Sequence, residues 1–514
     1  MVNTSNFGLL FSDAVKTTPN KIALIGTTYS LTYRELDRRT NQAAHLFRSL
    51  GIKKGDRVAL LFPNHIKFLE VVYGVMRIGG IPVPINIKLP YESIHYILAD
   101  SGAKILFYHQ SLSKVVNRLR TRSSAIEHFI SANDGKLNTE ATNYELLLRK
   151  QSDRLIVETV AADDLCYLPY TSGSTGFPKG CKLTHGGQYW NAAMLRNVRE
   201  INQDERLLIF APIYHANAMV NIQSTLLAGG SIVILPRVEA AAIFQAIERY
   251  RVTFMTGVPT IYKMLLAYYQ DHHDFDLTSL KFVLCGSSAL SPETIAALNQ
   301  NFHVDVLESY GLTEGGPVVF SSRRKNGKGN ALMQKLPQGE IKIVQNGKEV
   351  LNHTIGELWV KNPGVAAGYW HLPKVDAEKY VDGWLKTGDL VKVDQDGNAY
   401  IVGRKDDMIN IGGENAYPKE IENIILQYPE VEDVVVVAIA HALKGQVPAA
   451  VIVPKINSKL TEKELQTFFF AHGPAYAYPR RCFFVDHLPL AGTGKVDKAA
   501  VNKWVRELIQ ATND

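Results

Sequence analysis

The sequence predicts an α/β protein. It comprises a large N-terminal domain of parallel sheets covered by helices plus a small β-rich section, followed by a small α+β C-terminal domain. Three observations predict it. The chain has 514 residues, too many for one ordinary core. Strand-like and helix-like segments alternate through most of the N-terminal part, the pattern of parallel strands joined by crossover helices. The rhythm then changes near Gly339 and again after Arg404.

Taken in order, "DRVALLF" reads as a strand, "NHIKFLEVVYGVMRIG" as a helix and "AKILFYH" as a strand. Leu165 to Tyr170 is an apolar run expected to form a strand. "AAAIFQAIERY" has helical apolar spacing, and "VTFMTG" and "LKFVLCG" are strands. "SPETIAALNQNF" is a helix with Ser291 as its cap, and "VDVLESYG" is a strand. From Gly339 short strands with Gly turns follow, as in "GEIKIVQNGKEV" and "WLKTGDLVKVDQDGNAYIVGR". Beyond Arg404, "YPKEIENIILQYP" and "TEKELQTFFFAHG" read as helices, and "VEDVVVVAIA" and "PAAVIVP" as strands. The domains are placed at 1–405 and 406–514, with the boundary in "GRKDDMIN".

Bulk composition excludes several classes. Hydrophobic residues make up 46% and charged residues 21%, as in a globular protein. No apolar run is long enough for a membrane span. The N-terminus lacks a basic n-region and a long apolar core, and the C-terminus "QATND" carries no peroxisomal or retention tripeptide. Cys166, Cys181, Cys285 and Cys482 form no C-x-x-C pair, so reduced, buried thiols and a cytoplasmic location are expected. The net charge of +6 suits a polyanionic small molecule, and no basic tail points to nucleic acid.

Four stretches carry chemistry. "LPYTSGSTGFPKGCKLTH" spans residues 168 to 185 directly after the apolar run. Gly173 and Gly176 let backbone amides approach an anion, and Thr171, Ser172, Ser174 and Thr175 add hydroxyls. Lys179 adds charge. A Gly/Ser-rich loop alone is usually a surface loop; the Pro178-Lys179-Gly180 ending after a strand argues for phosphate. "ESYGLTEGGP", residues 308 to 317, offers Glu314 in a small-residue loop, a natural ligand for Mg²⁺ facing a nucleotide. Alone it would more often be an ordinary turn. Asp389 and Arg404 are expected at strand ends, where an Asp accepts from both ribose hydroxyls and an Arg supports sugar or phosphate. A structural ion pair competes with that reading. Lys495 sits in the Gly/Thr turn of "PLAGTGKVDKAAV", where a lone Lys is usually just solvated.

Together and in this order, "YTSGSTGFPKG", "YGLTE", "TGD", "GRKDDMINIGGENAYPKEIE" and "GTGK" resemble the core motifs of the adenylate-forming (AMP-binding) superfamily. Within it, the chain is similar to the acyl-CoA synthetases. The resemblance starts at "LTYRELDRRTNQAAHLF" and spans nearly the whole chain.

The resemblance implies that a carboxylic acid and ATP yield an acyl-adenylate and pyrophosphate, and that the acyl group then passes to coenzyme A. It implies that the loop from Thr171 to Lys179, including Ser172, Gly173, Ser174 and Gly176, covers the β- and γ-phosphates. Thr175 and Glu314 would hold Mg²⁺. Gly286 to Ala289 and Ser309, Tyr310 and Gly311 would line the adenine beside Thr313, and Asp389 and Arg404 would hold the ribose. Lys495 would bridge the attacking carboxylate and the α-phosphate. The small domain would be mobile, pivoting at Asp406, two residues after the ribose Arg. Gly412 and Gly413 in "INIGGENAYP" would meet the pantetheine of coenzyme A.

Amino-acid-activating members carry a Phe-Asp pair where this chain has Tyr214-His215 in "APIYHANAMVNIQ". No carboxylate there awaits an amine, so Tyr214, His215 and Gly286 would border an acyl pocket. Met219, Val220, Val258 and Pro259 are further lining candidates, equally readable as core. A fatty acid is the first expectation, and aryl acids such as cinnamates suit the same framework. No carrier domain follows residue 514, which favours a diffusible acceptor. A free-standing enzyme loading a fatty or aryl acid onto a separate carrier protein is the alternative. The rival of another class, a binding protein with a decayed site, is opposed by Lys495, Glu314, Asp389 and Arg404. Neither a G-x-S-x-G elbow nor an H-E-x-x-H pair is present, against a hydrolase.

Overall fold

The computed structural model describes residues 5–122, 125–133, 142–171, 177–286, 289–325, 328–350, 353–411, 414–441, 443–490 and 496–513. Contacts divide the chain into two compact units. One comprises Met1–Glu340 with Val360–Leu385, the other Ile341–Trp359 with Lys386–Asp514.

The first unit is built on a nine-stranded sheet. Its middle is a parallel run in the order Asp305–Tyr310, Phe282–Gly286, Phe254–Gly257, Arg206–Ile209, Ser231–Ile234, Ile22–Ile25. Antiparallel strands close both edges: Ser30–Thr32 on one side, Phe320–Lys325 and Lys328–Lys335 on the other. Parallel strands are covered on both faces, so they need apolar side chains throughout rather than alternately. "FVLCG", "FMTG" and "SIVI" are buried at every position. Helix Pro292–Phe302 starts where expected, its cap Ser291 accepting from the Thr294 N–H.

A second sheet pairs Ile81–Pro84, Arg57–Leu61, Ile105–His109 and His128–Ala132, all parallel. Helix Ile66–Arg77 buries all twelve of its residues, charges included. Burying a charge is costly unless it is paired. Here Glu70 receives Arg39 in a two-pronged contact at 2.7 and 3.0 Å, and Arg77 reaches Asp37 at 2.6 Å.

One expected strand is interrupted. The run Leu165 to Tyr170 forms two short strands, Leu165–Tyr167 and Tyr170–Thr171. Proline has no N–H to give to a ladder. The pairing breaks at Leu168-Pro169, where the Leu168 N–H goes to the Pro82 carbonyl.

In the second unit, residues 341–359 and 386–404 supply strands of a small sheet, ending in the antiparallel pair Trp384–Val393 and Ala399–Arg404. Beyond Arg404, a five-stranded sheet pairs Glu414–Ala416, Ile409–Ile411, Gly445–Pro454 and Val431–His441 in that order, with Arg481–Phe484 parallel to Gly445–Pro454. Helices Pro418–Ile425 and Glu462–His472 contribute Ile421, Ile425, Leu465 and Phe469 to its core. The domain boundary after residue 405 is a proposal about function; contacts group 386–404 with the C-terminal part.

All four cysteines are buried, and none is in a disulfide. Among the described residues no helix is long and apolar enough to cross a membrane.

Candidate active site

Three segments of the first unit meet at one carboxylate. Strand Tyr170–Thr171 pairs with Lys179–Gly180, setting Thr171 directly opposite Lys179. That pairing closes the neck of the glycine-rich loop, whose Ser172, Gly173, Ser174, Thr175 and Gly176 lie outside the described residues. Glu314 stands in the short turn Thr313–Gly315, beyond the carboxyl end of strand Asp305–Tyr310. In open parallel sheets ligands bind beyond such ends. Its Oε1 accepts the Thr171 hydroxyl at 3.0 Å and the Tyr369 hydroxyl at 2.8 Å.

Tyr369 is anchored in turn. Its N–H donates to Asp376 at 2.7 Å, and the next residue, Trp370, donates its N–H to Gly180 at 2.7 Å. The Lys179 ammonium lies 5.7 Å from the Tyr369 ring centroid. Burial, and then the Glu314 carboxylate, push the Tyr369 phenol well above its ordinary range, so it stays a donor at neutral pH.

The turn that carries Glu314 depends on a close approach of backbone. A Cβ on Gly311 would fall 1.9 Å from the Pro317 carbonyl oxygen, a distance no side chain tolerates. Gly311 is therefore needed for "YGLTE" to fold back on itself. Ser309 pairs with Gly286 on the neighbouring parallel strand, so the expected adenine segments end side by side. Tyr310 closes its strand, and Thr313 opens the turn.

Tyr214 is buried, with its ring 4.7 Å edge-on from the His215 ring. Burial pushes its phenol up to about 12. His215 precedes helix Ala216–Leu227 as its N-cap residue. The next turn reaches the sheet: a Cβ built on Gly286 would lie 3.0 Å from Nδ2 of Asn217. Asn217, two residues beyond His215, thus lies beside Gly286. Met219 and Val220 are core residues, Met219 in the main cluster and Val220 against Trp190, Leu195 and Val318. Val258 and Pro259 are half-buried at the start of helix Pro259–Asp271.

In the second unit Asp389 and Arg404 are cross-strand neighbours, Arg404 Nη1 donating to Asp389 Oδ1 at 3.1 Å. The expectation for Asp389 needs correction: it lies inside the ten-residue strand Trp384–Val393, and only Arg404 ends a strand. The strand runs on because "LVKV" keeps pairing with Ala399–Arg404. Asp389 is also tied by its own N–H to Thr387 Oγ1 at 3.0 Å. Asp406 is exposed in the turn Lys405–Asp407. Gly412, Gly413 and Lys495 lie outside the described residues.

Sequence reasoning missed three residues. Tyr369 sits in "AAGYW", outside the motifs read from the sequence. Asn217 lies two residues beyond His215. Glu308, in the same stretch as Glu314, accepts the Leu290 N–H at 2.8 Å, and burial raises its carboxyl above the usual range.

The Glu314 centre suits a hard cation. Among the described residues no group of three or more His, Cys, Asp or Glu gathers, so there is no protein-only metal cage. Mg²⁺ needs none, since it binds one or two carboxylates and takes its other oxygens from phosphate and water. Glu314 Oε1 is committed to two hydroxyls, and among the described residues Oε2 accepts no hydrogen bond.

The chain is 34% identical to a feruloyl-CoA synthase of Amycolatopsis sp over 92% of this chain and 94% of the relative. It is 28% identical to the long-chain-fatty-acid–CoA ligase FadD13 of Mycobacterium tuberculosis, over 97% of this chain and 98% of the relative. Among solved structures it resembles the anthranilate CoA ligase AuaEII in complex with anthranoyl-AMP, with a TM-score of 0.88, 26% identity and coverage of 97% and 96%. It resembles ATP-bound MatB of Rhodopseudomonas palustris with a TM-score of 0.89, 28% identity and coverage of 98% and 99%. Residues 420–495 match the AMP-binding enzyme C-terminal domain, and residues 11–370, more than half the chain, match the AMP-binding enzyme model. The carboxylate at the strand end, the closed neck of the glycine-rich loop and these matches agree: the chain belongs to the AMP-binding enzyme family.

Proposed function

We propose that the chain is an AMP-forming acid–thiol ligase, joining an aliphatic or aryl carboxylic acid to coenzyme A at the expense of ATP. The observation that carries the proposal is the Thr171–Glu314–Tyr369 junction. It puts a held carboxylate beside the neck of the phosphate-type loop, at the carboxyl end of a parallel sheet.

In the first step a carboxylate oxygen of the acid attacks the α-phosphorus of ATP. The bond to the bridging oxygen breaks, and pyrophosphate leaves. In the second step the thiol of coenzyme A loses its proton and attacks the acyl carbon, and AMP leaves with the electron pair. Neither step needs a covalent link to the protein. The protein's work is positioning and charge balance. The loop from Thr171 to Lys179 holds the β- and γ-phosphates, and Lys179 brings positive charge to its neck. Glu314, with Thr175, would hold Mg²⁺, which would supply charge neutralisation at the phosphates. Ser309 to Gly311 and Gly286 border the adenine. Asp389 accepts from the ribose, with Arg404 orienting its carboxylate. Lys495 supplies the cation shared by acid and α-phosphate. Gly412 and Gly413 meet the pantetheine.

The test is pyrophosphate release from ATP and Mg²⁺ with a panel of aliphatic and aryl acids, followed by detection of the CoA thioester. Acid-dependent pyrophosphate and a thioester are expected. Folded protein that releases no pyrophosphate with any acid would return the reading to a decayed binding protein. Adenylate that forms but passes only to a carrier protein's pantetheine arm would replace coenzyme A as the acceptor.

A further inference from the structure

The carboxyl ends of three parallel strands, drawn from two different sheets, converge on the side chain of Asn64. Asn64 stands in "FPNH", between strand Arg57–Leu61 of the second sheet and helix Ile66–Arg77. It is buried. Its Nδ2 donates to the carbonyls of Phe210 at 3.2 Å, Ala211 at 2.9 Å and Leu235 at 3.1 Å. Its Oδ1 accepts the Ile213 N–H at 2.9 Å. Phe210 to Ile213 follow strand Arg206–Ile209, and Leu235 follows strand Ser231–Ile234, both in the nine-stranded sheet. A primary amide carries two N–H donors and an acceptor oxygen, as neighbouring peptide groups do. Three acceptors on one side and a donor on the other fix which way it faces, since turning it over would mismatch all four contacts. Its base is fixed as well. The next residue, His65, caps the helix by accepting the Lys67 N–H at 3.0 Å, and every residue of that helix is buried.

We propose that Asn64 is a positioning residue of the ligase: through Phe210, Ala211 and Ile213 it sets where Tyr214 and His215 stand against the bound acid. The proposal rests on the ligase reading and on Tyr214–His215 bordering the acid. The chain runs from the Asn64 contacts straight into that pair. Pro212 between them accepts the His215 N–H at 3.0 Å, which closes the turn into helix Ala216–Leu227. These residues lie past the end of their strand, so Asn64 serves them as a strand neighbour would. A side chain seated on a rigid helix start is suited to that work. The consequence separates the two substrates. Asn64 makes none of the contacts of the Thr171–Glu314–Tyr369 junction, to which Mg²⁺ and ATP are assigned. Loss of its amide therefore loosens the wall facing the acid and leaves the nucleotide side in place.

The experiment measures KM and kcat for the acid and, separately, for ATP, by pyrophosphate release with the best acid of the panel. Asn64→Ala is expected to lower kcat/KM for the acid by roughly 10- to 100-fold, mostly through KM, because a misplacement of about 1 Å costs that much. The KM for ATP should stay within about threefold of wild type. Asn64→Asp keeps the shape and the acceptor for Ile213 but sets a carboxylate against three carbonyls, so it should be impaired at least as much and in the same way. A merely structural role gives another pattern: fewer folded molecules lower kcat and move neither KM. That pattern, an ATP KM that rises as much as the acid KM, or wild-type constants in the Ala variant would each overturn the proposal. If neither variant folds, hydrogen exchange in the wild type decides. The peptide spanning residues 210–216 should exchange slowly in the free enzyme and change little when acid and AMP are added. Fast exchange that slows only on adding the acid would overturn the proposal, since the ligand rather than Asn64 would then order the segment. Folded wild type that releases no pyrophosphate with any acid is a different result: it removes the ligase reading itself.

Discussion

Tyr369 donates its hydroxyl to Glu314 Oε1 at 2.8 Å, across 55 positions of the chain, and Thr171 donates to the same oxygen from the other side. Two donors on one oxygen set the direction in which the other faces. Glu314→Gln keeps the shape but removes the charge. It should raise the Mg²⁺ concentration for half-maximal pyrophosphate release by at least about 10-fold, the lower end of what losing even an outer-shell partner costs in metal affinity. Tyr369→Phe removes one hydrogen bond and should raise it by about 3- to 10-fold. Tyr369 acts only through Glu314, so its effect should vanish in the Gln background. Mg²⁺ titrations of the two single variants and the double variant check this. Additive effects would place Tyr369 elsewhere in the mechanism.

Lys495→Ala should largely abolish pyrophosphate release from acid and ATP while leaving conversion of supplied acyl-adenylate and coenzyme A to thioester. Only the first step needs a cation between two anionic groups. Assaying the two half-reactions separately tests it. A folded variant that lost both would remove Lys495 from this role.

Asp406 occupies a short turn whose neighbours are tied down within the second unit. Arg404 is held to Asp389, Lys405 to Glu357 at 3.1 Å, and Asp407 to Lys498. The φ of such a turn is one proline adopts. If the turn is a pivot between the two steps, its φ and ψ must change. Asp406→Pro is then expected to keep pyrophosphate release and lose most thioester formation from supplied adenylate. Wild-type rates in both assays would rule out a pivot at Asp406.

His185 is buried, and its Nδ1 accepts the Phe7 N–H at 3.0 Å, so the ring is held neutral with its proton on Nε2. Burial lowers its pKa to about 4; nearby Asp164 opposes that shift and Lys54 adds to it. The unfolded chain has the ordinary value near 6.5. Above that pH the ring is neutral in both states and contributes no slope. Between pH 6.5 and 4 only the unfolded chain takes up the proton, so stability falls as pH falls. The total is roughly 3 kcal/mol, and the slope from this group ends below pH 4. Urea unfolding at a series of pH values should show a flatter acid limb in His185→Gln, which titrates no proton. Equal limbs in variant and wild type would exclude His185 as the source.

Much of this was readable from sequence for a physical reason. Parallel strands such as "FVLCG" are buried on both faces, so their identity is written in every residue. Helix Pro292–Phe302 announces itself by Ser291 and Pro292. Thr171, Lys179 and Glu314 stand in short ordered motifs, where local chain geometry and chemistry coincide. Asp389 was misplaced because strand continuation depends on a partner strand rather than on the local sequence. The break at Pro169 was locally visible, but the carbonyl of Pro82 that receives the Leu168 N–H was not.

By itself, then, the sequence determined the α/β alternation, the family and the local donors and acceptors of the site, because each depends on residues close together in the chain. Only the tertiary structure decided that Tyr369 holds Glu314, that Gly311 must admit the Pro317 carbonyl, and that the Asn217 side chain lies beside Gly286. Those relationships join residues brought together by sheet order and helix packing. A hydrogen bond across such distances leaves no periodic trace in either partner's own segment.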